Sequence, residues 1–284
     1  MMGRNNQALI TLVNGEPVVV ASVFDRGLNY GDGVFETILC YNNKLTLWSL
    51  HLERLYHGLA RLNIVLEPSV IEGHKDKLLA QVSVDGLNSN GLFKIIVTRG
   101  VGGRGYAPSD SAPTVILTWF AKPAYSAPSE EYGVNASLCN TKLSRNAQLA
   151  GIKHLNRLEQ VLAAQELQTT SVDEGLLLDT ENNVIEAISK NIFLIKNNTL
   201  YTPLLTYSGV KGVMREHIIN TIAPALNIAL IEQDITASQL TEFDEAFVCN
   251  SVQGLWPLKS IGDNKLAVGV ISKLIQCEVD KCLS

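Results

Sequence analysis

The segment Gly151–Gln160, which reads GIKHLNRLEQ, lies near the middle of the chain and places a lysine where a loop leads into a helix. Apolar residues recur at helical spacing from Leu155 to Leu167 and predict that helix. Lys153 directly follows Ile152, so its amine is expected in partly apolar surroundings. Such surroundings lower the pKa of a lysine, and the neutral amine can attack a carbonyl to form a Schiff base. On position alone, a surface lysine with its stem along apolar neighbours is the commoner explanation, so the rest of the chain has to decide.

Length, charge and cysteine content limit the classes to which the chain can belong. Its 284 residues are enough for one or two domains, and a hydrophobic fraction of 46% with 18% charged residues is typical of a globular protein. The net charge of −5, without blocks of like charge, argues against nucleic acid or an anionic membrane as a partner. The five cysteines show no metal-ligand spacing, and no signal peptide or membrane span is evident. We therefore expect a cytoplasmic protein without a metal site.

Strand and helix patterns intermix along the chain, which predicts an α+β fold with mixed sheets. Helices are predicted over 52–62, 69–82, 155–167, 208–226 and 266–282. Strands are predicted over 34–39, 92–98, 115–120, 132–139, 173–179, 184–195, 200–203, 229–234 and 245–249, with a hairpin around Asn14-Gly15. The proline-containing segment Lys122–Ser129 is the best candidate for a linker. We therefore predict a small N-terminal α/β domain over 1–121, a linker over 122–130 and a larger C-terminal domain over 131–284.

Two glycine-rich loops carry polar side chains. Phe24–Gly33 holds Arg26 and Tyr30 and is either a plain turn or a wall that faces a substrate. Arg99–Tyr106 begins with an arginine and adds Arg104. Two guanidinium groups among glycines suit a clamp for carboxylates, because guanidinium binds carboxylate through two parallel hydrogen bonds. An ordinary exposed loop explains the pattern about as well.

Three further features suggest a bound anion or cofactor. Glu186 is embedded among apolar residues, so its carboxylate needs a cationic or hydrogen-bonding partner, either in a structural ion pair or on a cofactor. Ser208–Arg215 opens a helix with glycines, which leaves main-chain amides bare at a positive helix end and favours an anion. Arg54 lies in a predicted helix between two leucines and, without context, is explained as a solvated arginine.

Taken together, these motifs resemble the class IV aminotransferase family, the fold-type IV pyridoxal-phosphate enzymes, over nearly the whole chain. The family signature is carried here, in order and at the right spacing, by Glu186, Ile188, Asn191, Ile192, Phe193, Leu200, Thr202, Val210, Gly212, Val213 and Arg215. The resemblance implies a small N-terminal α/β domain, a larger C-terminal domain with a mixed, barrel-like sheet and helices, bound pyridoxal 5'-phosphate, and a homodimer.

The resemblance also implies a role for individual residues. Lys153 would form the Schiff base with the cofactor, Glu186 would pair with its pyridinium nitrogen, and Arg54 would bind its phosphate. Keeping the pyridinium nitrogen protonated makes the ring an electron sink. The other phosphate contacts implied by the family pattern are the main-chain amides of Val213 and Met214 and the hydroxyl of Ser251.

Within the family, three stretches are most similar to the bacterial 4-amino-4-deoxychorismate lyases: Tyr30–Thr37, Arg99–Tyr106 and Leu149–Gln160. Such lyases make 4-aminobenzoate and pyruvate for folate synthesis. This similarity implies a small substrate with two carboxylates and a proton-relay hydroxyl at Thr37. The residues expected to face that substrate are Arg104 first, then Arg99, Arg26 and Tyr30.

The chain departs from the family pattern at two places. Branched-chain transaminases carry a tyrosine where this chain has Leu158, so Asn156 or Arg157 would have to contact the cofactor's ring hydroxyl. Some lyases have two threonines where this chain has Glu36 and Thr37. A transaminase acting on D-amino acids or branched-chain amino acids is the alternative function, since it shares the cofactor and the first proton transfer. A non-catalytic binding module is the third hypothesis.

Overall fold

The computed structural model describes residues 8–108, 110–122 and 132–284 and divides them into two compact units. The first unit contains the described residues up to 122 together with Ile152–Asn156, and the second contains 132–151 and Arg157–Ser284. The sequence did not predict that Ile152–Asn156 belongs with the first unit. The predicted linker over 122–130 lies, apart from Lys122, outside the described residues, so the exact domain limits stay a prediction.

The first unit is an antiparallel five-stranded sheet with helices. Its strands are β1 Ala8–Val13, β2 Gly33–Tyr41, β3 Lys44–Leu45, β4 Gly91–Thr98 and β5 Thr114–Ala121, in the order β1-β5-β4-β2-β3. Its helices are α1 Arg26–Tyr30, α2 Trp48–Arg61 and α3 Pro68–Val84, the last with proline in its first turn, where no amide donor is needed. Leu55 and Leu59 of α2 are 1% exposed and belong to the same core as Ile38 of β2 and Phe93 of β4. Burial of this helix face packs α2 against β2.

The second unit is built on a mixed nine-stranded sheet. Its strands are β6 Val134–Leu143, β7 Glu174–Asp179, β8 Val184–Ala187, β9 Asn191–Lys196, β10 Thr199–Pro203, β11 Leu230–Gln233, β12 Glu245–Asn250, β13 Gly254–Ile261 and β14 Asn264–Lys265. The order is β11-β10-β9-β12-β13-β6-β7-β8, with β14 beside β13. Three pairs are parallel, β10 with β11, β13 with β6 and β6 with β7. The mixed sheet agrees with the sequence prediction.

Helices and a 3-10 helix, Ala237–Glu242, complete the second unit. The helices are α4 Leu158–Leu167, α5 Val213–His217 and α6 Val270–Leu283. Beyond α5 the helix continues without a break through a π-helical turn, Ile218–Ile222. The helical run ends with Ala223–Ala225. Nowhere in the described ranges is there a helix long and apolar enough to cross a membrane.

Several predicted elements differ from the structure for local reasons. The predicted strand over 184–195 is two strands, because the amide of Ala187 donates to the carbonyl of Lys190 at 2.7 Å and closes a turn between β8 and β9. The predicted hairpin at Asn14-Gly15 closes only one bridge, Val13 with Glu16, since β1 pairs along its length with β5. The glycine-rich loop Phe24–Gly33 contains the short helix α1, which the glycines obscured.

Candidate active site

Lys153 lies in a segment that pairs with the beginning of β2. The amide of Phe35 donates to the carbonyl of Lys153 at 3.0 Å, and the amide of Leu155 donates to the carbonyl of Gly33 at 3.0 Å. The Nζ of Lys153 lies 4.5 Å from the centroid of the Phe35 ring, and the preceding Ile152 is fully buried. The main chain on both sides of the lysine is therefore fixed, and its amine lies over an aromatic face.

Arg54 is held by a buried carboxylate that the sequence analysis treated only as a departure from the family pattern. Glu36 is 1% exposed and accepts from Nε of Arg54 at 2.7 Å and from Nη2 at 2.5 Å. Nδ1 of the buried His51 is 2.7 Å from the same carboxylate. Burial alone would raise the pKa of Glu36, but Arg54 and His51 lower it to about 2. Arg54 is therefore held by both oxygens of a carboxylate that stays charged.

One face of β2 carries the other groups near Lys153 in the first unit. Phe35 and Thr37 alternate with Glu36 along the strand, so they share the opposite face. Thr37 lies directly across from Lys94 of β4, and the Nζ of Lys94 is 5.8 Å from the Phe35 ring centroid. Burial lowers the pKa of Lys94. This face therefore presents a hydroxyl and a second amine beside the ring that Lys153 contacts.

Glu186, in the second unit, is a buried carboxylate that accepts hydrogen bonds from a main-chain amide and a side-chain amide. It is 5% exposed and accepts from the amide of Val210 at 2.8 Å and from Nε2 of Gln160 at 3.4 Å. The sequence prediction that this carboxylate is buried is confirmed. The burial of Arg157 lowers the pKa of its guanidinium, while the charge of Glu186 acts in the opposite direction. Arg157 and Glu186 therefore influence each other electrostatically within the second unit.

The loop that supplies Val210 requires glycine at two positions. Gly209 has φ of +82°, and a Cβ there would lie 2.6 Å from Cγ2 of Ile185 and 3.3 Å from Oε2 of Glu186. A Cβ at Gly212 would lie 1.9 Å from Oδ1 of Asn191, whose Nδ2 donates to the carbonyl of Val210 at 2.8 Å. The absence of side chains at both glycines therefore allows the loop to approach Glu186 and Asn191.

The predicted phosphate-binding residues of the second unit lie at two element ends. Gly212 caps α5 without a side-chain hydrogen bond, so Val213 and Met214 form the first helical turn with main-chain amides that no cap side chain engages. Ser251 is buried and directly follows β12. Helix N-termini with bare amides bind anions, as the sequence analysis predicted for this segment.

The structure separates the two candidates for the cofactor's ring hydroxyl. Asn156 belongs to the first unit, where its Nδ2 donates to the carbonyl of Gly31 at 3.3 Å. Arg157 belongs to the second unit, as Glu186 does.

The three predicted substrate arginines differ in what they contact. Arg26 donates to Asp32 and to two main-chain carbonyls, and Arg99 donates to Asp32 and to the carbonyls of Leu62 and Asn63. Arg104 is exposed and makes no ion pair with any residue in 8–108, 110–122 or 132–284. Tyr30 is half-buried, beneath the guanidinium of Arg26. Arg104 is therefore the member of the set with an uncommitted guanidinium.

Three residues of this region escaped the sequence analysis: Glu36, His51 and Lys94. His51 and Arg54 lie three positions apart in a helix, which places them on one face, so this spacing could have indicated a shared partner. Lys94 interrupts an otherwise apolar strand, and that interruption was the available signal. Glu36 alternates with Phe35 and Thr37, but no local pattern identifies its contact with α2.

The chain is similar to known proteins over most of its length. The family model described as amino-transferase class IV matches residues 33–261. An aminodeoxychorismate lyase from Vibrio harveyi is 34% identical over 271 residues, covering 93% of this chain and 97% of that protein. A crystal structure of 4-amino-4-deoxychorismate lyase from Pseudomonas aeruginosa matches with a TM-score of 0.89 and 38% identity, covering 96% of this chain and 98% of that one. A putative branched-chain-amino-acid aminotransferase from Methanocaldococcus jannaschii is 33% identical over 260 residues, covering 90% and 88%. The predicted α+β fold class is therefore confirmed.

Proposed function

Because the chain belongs to the class IV aminotransferase family, we propose that it is a pyridoxal-phosphate-dependent lyase that converts 4-amino-4-deoxychorismate to 4-aminobenzoate and pyruvate. Both the lyase from Vibrio harveyi and that from Pseudomonas aeruginosa match nearly the full chain. The near full-length match to these two lyases carries the proposal of a lyase, and Glu186, a buried carboxylate that accepts from the main-chain amide of Val210, supports the cofactor.

The described residues fit pyridoxal 5'-phosphate by their chemistry. The burial of Glu186 suits a partner of the pyridinium nitrogen, because a low-dielectric site strengthens the attraction of a carboxylate for a positive charge. Val213 and Met214, at the start of α5, supply main-chain donors for a phosphate, and Ser251 supplies a hydroxyl. Arg54 supplies a positive charge in an orientation that Glu36 fixes. We propose Arg157 as the partner of the ring hydroxyl.

In this proposal the protein residues bind the reactants and transfer protons. Lys153 would hold the cofactor, and its free Nζ would take the proton from the ring carbon that bears the substrate nitrogen. The same Nζ would bind the cofactor again as 4-aminobenzoate leaves. Bound pyridoxal phosphate supplies the electron sink that stabilises the resulting charge. The bond between the neighbouring carbon of the substrate ring and the ether oxygen then breaks. The oxygen leaves with the enolpyruvyl group, and the substrate ring becomes aromatic. The released enolpyruvate takes up a proton and becomes pyruvate, and Thr37 is proposed as the hydroxyl that relays protons.

A transaminase is the second candidate, because the aminotransferase from Methanocaldococcus jannaschii matches almost as much of the chain. Lys153, Glu186 and Arg54 would serve both reactions, so these residues do not separate them. The residues that would contact the substrate distinguish the two reactions, because 4-amino-4-deoxychorismate carries two carboxylates. Lys94 and Arg104 are cations beyond those assigned to the cofactor. Lys94 is therefore added to the proposed substrate contacts, after Arg104.

The assay that tests the proposal supplies each substrate to the pure protein reconstituted with pyridoxal phosphate. We expect 4-aminobenzoate from 4-amino-4-deoxychorismate, and no comparable amination of 2-oxoglutarate by D-alanine or leucine. Lys153→Ala should abolish both the product and the visible absorbance band of the bound cofactor. Lys265→Ala, which changes a lysine of the short strand β14, should keep both. Efficient amination of the 2-oxo acid without 4-aminobenzoate would reject the lyase. A protein that takes up no cofactor would support the binding module.

The proposal also includes a cytoplasmic homodimer. Exposed apolar side chains are concentrated before α1, at Val19, Val20, Val23 and Phe24, each at least 67% exposed. Such a concentration is typical of an interface between subunits. Light scattering on the purified protein should give twice the chain mass of 31.0 kDa. A mass of one chain at micromolar concentration would contradict the dimer.

A further inference from the structure

Arg26 binds the loop Arg99–Tyr106 through the main chain on the C-terminal side of Arg104. Its Nη1 donates to the carbonyl of Gly105 at 3.0 Å and its Nη2 donates to the carbonyl of Tyr106 at 2.8 Å. Its Nε donates to Asp32 at 2.9 Å, and the residue is only 4% exposed. All three guanidinium nitrogens are therefore engaged within the protein, two of them on the residues that follow Arg104.

The N-terminal side of the same loop is attached to the start of α1. The amide of Arg26 donates to the carbonyl of Gly100 at 2.9 Å, and the amide of Gly102 donates to the carbonyl of Phe24 at 3.2 Å. A Cβ at Gly102 would lie 2.6 Å from Cδ of Arg26, so the loop packs directly on the arginine stem. Arg104 thus lies between two attachment points that both involve Arg26.

Aromatic rings and a shared carboxylate support the attachment. The guanidinium of Arg26 lies 4.7 Å from the centroid of the Tyr30 ring, which meets the Tyr106 ring edge-on at 5.6 Å. Asp32 accepts from Arg26 and also from Nε of Arg99 at 2.7 Å. Although burial alone would raise the pKa of Asp32, the two arginines lower it, so this carboxylate stays charged. Arg26 therefore remains paired while it holds the loop.

We propose that Arg26 is a positioning residue whose guanidinium fixes the backbone that follows Arg104 and whose stem packs on Gly102 before it, so that the exposed guanidinium of Arg104 is presented to a carboxylate of the substrate. Arg26 itself does not touch the substrate, because its nitrogens are already used. This inference rests on the proposed function, since a carboxylate substrate is what Arg104 would bind. It replaces the sequence-based expectation that Arg26 binds the substrate directly.

A double-mutant cycle separates positioning from an independent contribution. The loss of one charge-assisted hydrogen-bonding group should raise KM for 4-amino-4-deoxychorismate by about 10- to 100-fold in Arg104→Gln, with a smaller change in kcat. Arg26→Gln should raise KM similarly, and the double variant should be no worse than Arg104→Gln alone, because Arg26 acts through Arg104. Arg26→Lys, which keeps the charge but loses the fork, should fall between wild type and Arg26→Gln. If the increases in KM of the two single variants, Arg26→Gln and Arg104→Gln, multiply in the double variant, the proposal is overturned.

Limited trypsin digestion tests the attachment without any activity measurement. Cleavage after Arg104 requires the loop to leave its bound conformation, so it should be slow in the wild-type holoenzyme and several-fold faster in Arg26→Gln. Lys75→Gln is the matched control, since it removes a cation paired with Glu72 and placed over Trp48 in the same unit. This control should be cleaved after Arg104 at the wild-type rate.

The two experiments fail in distinguishable ways. Equal cleavage after Arg104 in wild type and in both Arg26 variants would overturn the positioning role, whatever the reaction is. A wild-type protein without lyase activity would overturn the proposed function and the substrate half of this inference, while the cleavage rates would still decide whether Arg26 holds the loop. If Arg26→Gln does not melt cooperatively, Arg26→Lys serves in both experiments.

Discussion

Glu36 in the first unit and Glu186 in the second are both buried carboxylates on strands, but different kinds of group hold them. Glu36 is bound by two cationic or titratable side chains, Arg54 and His51. Glu186 accepts from the main-chain amide of Val210, on a loop whose path depends on glycines, and from the side-chain amide of Gln160. The first carboxylate therefore fixes a charged side chain, whereas amide donors contact the second. A carboxylate held as Glu36 is can orient an arginine that binds a phosphate. A carboxylate held as Glu186 is can itself pair with a positive charge on a cofactor.

The largest effect is expected when the charge of Glu186 is removed. Glu186→Gln keeps the shape and can still accept from Val210, but it cannot stabilise a pyridinium charge. Removal of such preorganised electrostatic stabilisation should lower kcat by about 10³-fold. Stopped-flow assays on the cofactor-saturated protein measure this, with the exposed Glu181→Gln as control. A Glu186→Gln enzyme with wild-type kcat would remove the contrast between the two carboxylates.

Glu36→Gln should affect stability and its dependence on pH. Because the folded-state pKa of Glu36 is about 2 against an ordinary 4.5, its ionisation contributes about 3 kcal/mol of stability. This contribution is fully present above pH 4.5 and is lost as the pH falls through about 2. Wild type should therefore exceed Glu36→Gln by about 3 kcal/mol in the free energy of unfolding near pH 6, and the gap should narrow in acid.

Urea unfolding of the cofactor-free protein at several pH values measures that gap. Glu53→Gln, an exposed carboxylate on the same helix as Arg54, should keep the wild-type pH profile. A gap that is constant from pH 6 to pH 2 would show that Glu36 is not held as a charged group. The affinity for pyridoxal phosphate should also fall in Glu36→Gln, since Arg54 loses its fixed orientation.

How far the sequence predicted these two sites depends on how local their contacts are. The burial of Glu186 followed from its apolar neighbours in one segment, but its partner Val210 is a main-chain donor 24 positions away, and a main-chain donor carries no side-chain signal. The contact of Glu36 with Arg54 joins a strand to a helix, so periodicity within either element could not predict it. The longer helices and most strands were predicted because hydrophobic periodicity is local. The place of Lys153 within the first unit was not predicted, because the pairing of its loop with β2 depends on tertiary structure.

A smaller effect is expected from Gly209→Ala, which tests whether backbone geometry holds Glu186. A Cβ at Gly209 meets Ile185 at 2.6 Å, and φ there is +82°. Overpacking and strain together should cost about 2 kcal/mol and displace Val210 from Glu186. Gly262→Ala is the matched control, because φ there is +57° but a Cβ would meet nothing within 4 Å.

Thermal melting compares these two glycine variants, and their absorbance spectra report cofactor binding. Gly262→Ala should lose about 1 kcal/mol from backbone strain and bind the cofactor normally. If the two variants lose equal stability and bind the cofactor equally, close packing around Gly209 does not help to hold Glu186.

The smallest effect is expected from His51→Gln, which keeps a donor near Glu36. At neutral pH the altered hydrogen bond should cost about 1 kcal/mol. Burial lowers the pKa of His51 below its ordinary 6.5, so the neutral ring contributes stability that is present above pH 6.5 and is lost as the pH falls. Urea unfolding of His51→Gln should therefore show a shallower loss of stability between pH 6.5 and pH 4.5. An unchanged slope in that interval would mean that His51 is not buried as a neutral ring.

A lyase built on one lysine and one buried carboxylate regenerates its own cofactor, whereas a transaminase needs an amino acceptor. The decisive measurement follows 4-aminobenzoate and pyruvate while the pyridoxal-phosphate form of the protein consumes 4-amino-4-deoxychorismate without an added 2-oxo acid. We expect many turnovers per subunit, with the two products formed in equal amounts. Conversion of the cofactor to its amino form within one turnover, without 4-aminobenzoate, would contradict the proposed lyase.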